Sequence, residues 1–247
     1  MGGSTKIAWC DSTWNPWIGC TNVSPGCDHC YAEALAKRTG FAKWGNHPRR
    51  RTSPAYWKQP LTWNRAAEKA GVRRRVFCAS MADVFDNQVD PAWRCDLWDL
   101  IYATPELDWL VLTKRPQNIA GMLPVKAKGA LADLGDGWPN VWLGTTVEDR
   151  THGRRRAWDL AQIPAVVRFW SVEPLLEDLG DCDSLCLRDT ATDGRPAVSW
   201  CIVGGESGPG AQPMDSVFGS NRHLGTGAKA APRPHLSGDP SWIGLPR

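Results

Sequence analysis

Apolar positions along the chain fall into short, near-continuous runs separated by longer mixed stretches. Five runs have strand length: residues 76–80, 109–113, 141–145, 166–171 and 198–203. Each is rich in β-branched and aromatic residues, which favours strand over helix. A sixth, residues 13–18, comes just before a cysteine-rich loop. Helix-like stretches lie between the runs, at 91–103 and 154–162, and another helix is expected to open at Ala32-Glu33-Ala34-Leu35. Strands that are apolar on both faces and alternate with helices predict a parallel sheet covered by helices. Six such units suit a partial (β/α)6 TIM-like barrel of the α/β class. A doubly wound open sheet is the second possibility.

The pattern changes near residue 208. Thirteen of the last forty residues are Gly or Pro, and apolar periodicity stops after Met214. Such sequence buries too little surface to fold firmly. The predicted organisation is one barrel-like domain over 1–207 and an irregular tail over 208–247. The run 126–137 is expected to be a surface loop or weak helix.

Polar residues follow each strand run. Ser80 and Asp83 follow the first, Lys114 and Arg115 the second, and Thr146 and Glu148 the third. Glu173 follows the fourth, and Gly204, Gly205 and Glu206 the fifth. In barrels and open α/β sheets the site lies at the C-terminal ends of the strands. Taken singly, such residues serve as helix caps or surface charges. Their recurrence at five consecutive strand ends points to one shared rim.

Cys20, Cys27 and Cys30 form a C-x6-C-x2-C cluster on the loop that reaches this rim. Three thiolates can hold three corners of an iron–sulfur cluster and leave the fourth iron without a protein ligand. The same thiolates can hold zinc with a fourth ligand, either His29 or a remote group such as Cys10. A third reading leaves them buried or redox-active without metal. Spacing alone does not choose among these. Cys78 and Cys201 sit in apolar strands and read as core thiols. Cys182 and Cys186 form a C-x3-C pair without obvious partners and read as structural.

Composition narrows the class. The chain has 247 residues, enough for one large domain, and a net charge of only +3. No stretch of about 18 apolar residues is present, so no membrane span is expected. The first residues lack an apolar signal core, which makes a cytoplasmic protein the default. Nine cysteines in such a chain read as metal ligands and buried thiols rather than disulfides. Arginine triplets at 49–51, 73–75 and 154–156 either track the phosphates of a nucleotide or nucleic acid or form solvated helix ends and loops. Most of the fifteen tryptophans are expected in the core. Phosphate-loop, zinc-protease and serine-hydrolase motifs are absent.

Several motifs recur in order. They are Ile7-Ala-Trp-Cys-Asp-Ser-Thr-Trp-Asn-Pro16, Gly19-Cys20, Ser24-Pro-Gly-Cys27 and Cys30-Tyr-Ala-Glu33, then Leu112-Thr-Lys-Arg-Pro116, Ser171-Val-Glu-Pro-Leu-Leu176 and Gly204-Gly-Glu-Ser-Gly-Pro-Gly210. Over residues 6–214 the chain resembles the three-cysteine phage-type proteins, a phage and bacterial domain family of unknown function. That family is similar to radical S-adenosylmethionine (SAM) enzymes in its cysteine loop and barrel.

The resemblance implies a [4Fe–4S] cluster on Cys20, Cys27 and Cys30, with SAM beside it. The loop is longer than the usual C-x3-C-x2-C. By strand order, the resemblance implies that Ser80, Met81 and Asp83 meet the methionine amino group. Thr146, Glu148 and Glu173 would meet the ribose and carboxylate, and Gly204, Gly205 and Glu206 the adenine. Lys114 and Arg115 suit the SAM carboxylate or an anionic substrate. A nucleotide or nucleic acid is the expected substrate class. Such chemistry draws an electron from outside the chain, so a donor and a partner protein are expected. The alternative is a zinc-stabilised nucleic-acid-binding module without catalysis. Members of the family continue beyond the last motif with a helix and an aromatic segment. The tail here departs from that pattern, and a frameshift or a diverged end is the expected cause.

Overall fold

A computed structural model describes Thr5 and residues 7–123, 137–180 and 190–205 of the chain. In chain order the elements are β1 (Ser12–Trp14), β2 (Trp17–Ile18), α1 (Tyr31–Thr39), β3 (Arg50–Arg51), α2 (Pro54–Trp57), α3 (Gln59–Ala70), β4 (Arg74–Cys78), α4 (Pro91–Tyr102), β5 (Leu107–Thr113), α5 (Ile119–Met122), β6 (Val141–Thr146), α6 (Arg150–Ala161), β7 (Val167–Val172) and β8 (Trp200–Val203). The 208–247 tail, Glu206, Cys182, Cys186 and nearly all of the 126–137 run lie outside the described residues.

All six predicted strands are present in one parallel sheet, ordered β1-β4-β5-β6-β7-β8. Spatial order follows chain order without a reversal. A doubly wound sheet reverses at its switch point, so that alternative is excluded. Among the described residues no ladder joins β8 to β1, and the sheet is an open, barrel-type winding rather than a closed barrel.

The first strand is shorter than expected. Pro16 has no N–H to give a ladder, and the chain breaks there. Residues 17–18 pair antiparallel with β3 instead. Asn15, at the break, accepts from the Met81 amide at 2.7 Å and so ties this turn to the end of β4. The helix predicted at 154–162 begins four residues earlier, because the Asp149 side chain accepts from the His152 amide at 2.7 Å and caps it. Likewise Asp90 accepts from the Ala92 amide at 2.8 Å, which starts α4 at Pro91.

Alternation along the strands divides the core in two. One face, with Val76, Trp109, Val111, Leu143 and Trp170, packs against α3, α4 and α6. Trp14 is fully buried here, 5.5 Å from the Trp109 ring and 5.2 Å from Trp57. Truncating a tryptophan so placed costs on the order of 3–5 kcal/mol. The opposite face carries Phe77, Leu110, Trp142, Phe169 and Ile202, covered by Trp9 and Cys10 from the first segment. Gly144 leaves room there for the Phe169 ring, which would overlap any Cβ. In strand register Thr146 and Ser171 continue this second face toward the C-terminal rim. It carries the site.

Candidate functional site

The cysteine loop lies across the C-terminal ends of three neighbouring strands. Beyond β4, the Gly19 amide donates to Met81 O at 3.1 Å, and Gly19 bridges Ala82. Beyond β5, Arg115 donates to Cys20 Sγ at 3.6 Å and to Thr21 O at 2.7 Å. Beyond β6, Gly26 sits on the Glu148 side chain; a Cβ added there would lie 3.0 Å from the carboxyl carbon. After the loop, the Tyr31 hydroxyl donates to Ser80 O at 2.7 Å. These contacts set all three cysteines over the predicted rim.

Local sequence shapes the loop. Pro25 starts a single 3-10 turn, Pro25–Cys27, whose Cys27 amide donates to Ser24 O at 2.9 Å. Cys30 is the residue preceding α1, and Gly40 ends that helix in the left-handed conformation. Burial pushes the Cys20 thiol up to about 11; Asp83 adds to this, and Arg115 opposes it. Burial also raises Cys30, with the Glu33 and Ala32 amides and Lys114 acting the other way. Metal-free, these two thiols hold their protons at neutral pH, and metal binding would have to displace them.

The spread of the thiols bears on the choice of metal. Tetrahedral zinc with Zn–S bonds of about 2.3 Å needs sulfurs about 3.8 Å apart. Among the described residues, the group whose ligand atoms lie within 4.8 Å of one another is Glu148, Asp149 and His152, and the cysteines form no such group. His29 is exposed, and Cys10 is buried beside Phe77 on the second face. In the Glu148 group, Asp149 is already committed to His152, accepting from its amide and meeting Nδ1 at 2.6 Å. All described cysteines are free thiols.

Two buried ion pairs underlie the loop. Asp83 accepts from Arg115 Nη1 at 2.8 Å, Thr113 Oγ1 at 2.7 Å, the Phe85 amide at 2.9 Å and the Lys114 amide at 3.2 Å. Asp86 pairs with Arg49, which also donates to Thr21 Oγ1 at 2.6 Å. Asp83 and Arg115, expected to meet a ligand, are therefore occupied with each other and with the loop. Lys114 differs from its neighbour. Its ammonium donates to Thr146 Oγ1 at 3.3 Å, and among the described residues it has no carboxylate partner.

The remaining rim residues converge only in part. Glu148 is fully buried; Oε2 accepts from Arg156 at 2.6 Å, while Oε1 has no donor among the described residues. Glu173, beyond β7, is half-buried, and desolvation raises its carboxyl despite the Ser171 hydroxyl. Its carboxylate oxygen lies where a Cβ on Gly204 would sit, so this glycine leaves room for Glu173. Gly205 follows at the same strand end, and Ser80 Oγ is engaged by Asn15 at 3.2 Å.

Sequence reasoning missed Asn15, Tyr31, Arg49, Asp86 and Arg156. Arg49 and Arg156 lie in the arginine triplets, and neither sits in solvent. Both are buried against Asp86 and Glu148. The other triplet members are largely engaged as well. Arg51 lies over the Trp57 ring at 4.4 Å, Arg74 over Trp63 at 5.0 Å, and Arg73 pairs with Asp108.

Among the described residues no helix is long and apolar enough to cross a membrane. No curated protein and no solved structure matches the chain. A sequence family described as protein of unknown function (DUF5131) does match, over residues 4–224, ten residues past Met214. With nearly the whole chain covered, from ahead of the first strand to beyond the last described residue, the protein belongs to the DUF5131 family.

Proposed function

We propose that the chain is an iron–sulfur enzyme of the radical SAM kind, with Cys20, Cys27 and Cys30 holding three irons of a [4Fe–4S] cluster. The observation that carries this reading is the position of one three-cysteine loop on the C-terminal rim of a singly wound parallel sheet. The donor set fits the group. Sulfur ligands suit such clusters, and three of them leave one iron for a small molecule. The three sulfurs do not all lie within 4.8 Å of one another, as a closed tetrahedral zinc site asks of its ligands. Arg115 at Cys20 and Lys114 near Cys30 offset the negative charge of bound thiolates.

When bound, cluster and SAM together supply one-electron cleavage of a sulfonium bond and hydrogen-atom abstraction. The chain's own residues bind and orient. Lys114 takes an anionic end of a ligand: a carboxylate or a nucleotide phosphate. Glu148 Oε1, buried without a donor, accepts from a ligand hydroxyl or amine; left unmet it costs about 1–3 kcal/mol. Glu173 supplies a second acceptor on the far side, and Tyr31 ties the end of the loop to the rim through Ser80 O.

Anaerobic reconstitution with iron and sulfide tests the reading. The expected result is about four irons per chain, an EPR signal altered by SAM, and loss of both in Cys27→Ala. One tightly held zinc and no iron uptake would overturn it, and would favour a zinc-stabilised binding module.

A further inference from the structure

The Asp83–Arg115 pair is built too tightly, and too close to one thiol, to be only a filler beneath the loop. The Arg115 guanidinium spans two hydrogen-bonding directions, with Nη1 between Cys20 Sγ and Asp83, and Nη2 on Thr21 O. It cannot swing away. Thr113 Oγ1 donates to Asp83 and also accepts from the Arg115 amide at 2.8 Å, which fixes both ends of the pair. Both side chains are only 7% exposed, so solvent and salt screen them little. Cys27 and Cys30 have no guanidinium on their sulfurs among the described residues. The Cys20 corner is thus electrostatically distinct.

We propose that Arg115, held by Asp83, is a positioning residue that fixes Cys20 as a ligand and sets the electron affinity of a cluster bound there. The inference rests on the iron–sulfur reading above. Hydrogen bonds to the ligating sulfurs and the local net charge are two of the levers that set cluster potentials. A donor and cation at Cys20 stabilise the reduced, more negative cluster. The Asp83 carboxylate, hydrogen-bonded to the same Nη1, opposes it. The two members of the pair therefore act with opposite sign, which a merely structural role does not predict.

An EPR-monitored redox titration of the reconstituted protein, with iron counted for every variant, tests this. Arg115→Gln is expected to lower the equilibrium constant for reduction about tenfold, about 59 mV for a one-electron couple. Asp83→Asn is expected to raise it by a similar factor. Arg115→Lys keeps the charge but loses the fork, and is expected to fall between the parent and Arg115→Gln. Shifts under twofold, or shifts of Arg115→Gln and Asp83→Asn in the same direction, overturn the inference and leave the cluster reading standing. If Arg115→Gln fails to take up iron, Asp83→Asn and Arg115→Lys decide by the same criterion. A parent protein that binds no iron removes both the cluster reading and this inference.

Discussion

The strands β4 and β5 carry arginine–aspartate pairs at both ends, in opposite environments. At the N-terminal ends, Arg73 meets Asp108 and Arg75 reaches Asp11, with side chains 30% and 20% exposed on the arginines. At the C-terminal ends, Arg115 meets Asp83 and Arg49 meets Asp86, with at most 7% of any of these side chains exposed. Exposed pairs contribute little and can be lost cheaply. Buried pairs pay a large desolvation cost, and an apolar pair of equal volume would often be as stable. Stability therefore does not explain why these two buried pairs sit at the C-terminal ends of β4 and β5; a further buried pair, Arg168 with Asp193, lies at the N-terminal end of β7. Both pairs beyond β4 and β5 reach Thr21, the residue after Cys20. What they secure is the position of the cysteine loop.

The largest expected effect breaks one buried pair. Asp86→Ala leaves Arg49 buried without its partner, which costs about 3–5 kcal/mol. For a chain of this size that is a fall of about 10 °C in Tm, measured by thermal unfolding. A fall of only one or two degrees would mean that the two ends are not energetically different. Gly26→Ala acts on the same loop without touching a charge. Its Cβ would lie 3.0 Å from a carboxyl group that Arg156 holds in place, so the loop must lift. Overpacking of this kind costs about 1–3 kcal/mol. The expected signature is a several-fold loss of iron uptake with a smaller fall in Tm than Asp86→Ala shows. Unchanged uptake would detach the loop from Glu148.

The two ends also differ in how far the sequence alone discloses them. The strands were readable because a parallel sheet buried on both faces leaves near-continuous apolar runs, as at residues 109–113. The rim was readable because polar residues follow each run directly. Partnership was not. Asp86 and Arg49 are 37 residues apart, and nothing in either segment names the other. Lys114 and Arg115 look equivalent as neighbouring cations. Only the turn after β5 sends one into a buried pair and the other toward Thr146. The break at Pro16 was visible as a proline, but its pairing with residues 50–51 needed a contact across more than thirty positions.

Charge at the rim also responds to pH. Burial holds the Glu173 carboxyl above its ordinary value of 4.5. The folded chain then binds more protons than the unfolded chain just above that value, so this group makes stability fall as pH rises through the window. Well below pH 4.5 the carboxyl is protonated in both states and the difference vanishes. Glu173→Gln removes the slope. Its Tm is expected to exceed that of the parent at pH 7 and to converge on it well below pH 4.5. A gap that persists there would trace to packing against Gly204 instead.

The smallest expected effect lies at the other end of the sheet, and it is the control on which the comparison depends. Arg73 Nε donates to Asp108 at 2.8 Å, a geometry as good as that of Arg115 with Asp83. Distance does not separate the two pairs; burial does. Arg73→Ala is expected to cost under about 1 kcal/mol, and less in concentrated salt, because water and ions already screen the pair. Iron uptake is expected to be unchanged, since no contact of Arg73 reaches the cysteine loop. If Arg73→Ala instead destabilised the protein as much as Asp86→Ala, hydrogen-bond geometry and not desolvation would govern these pairs. The concentration of buried charge under Cys20 would then need another explanation.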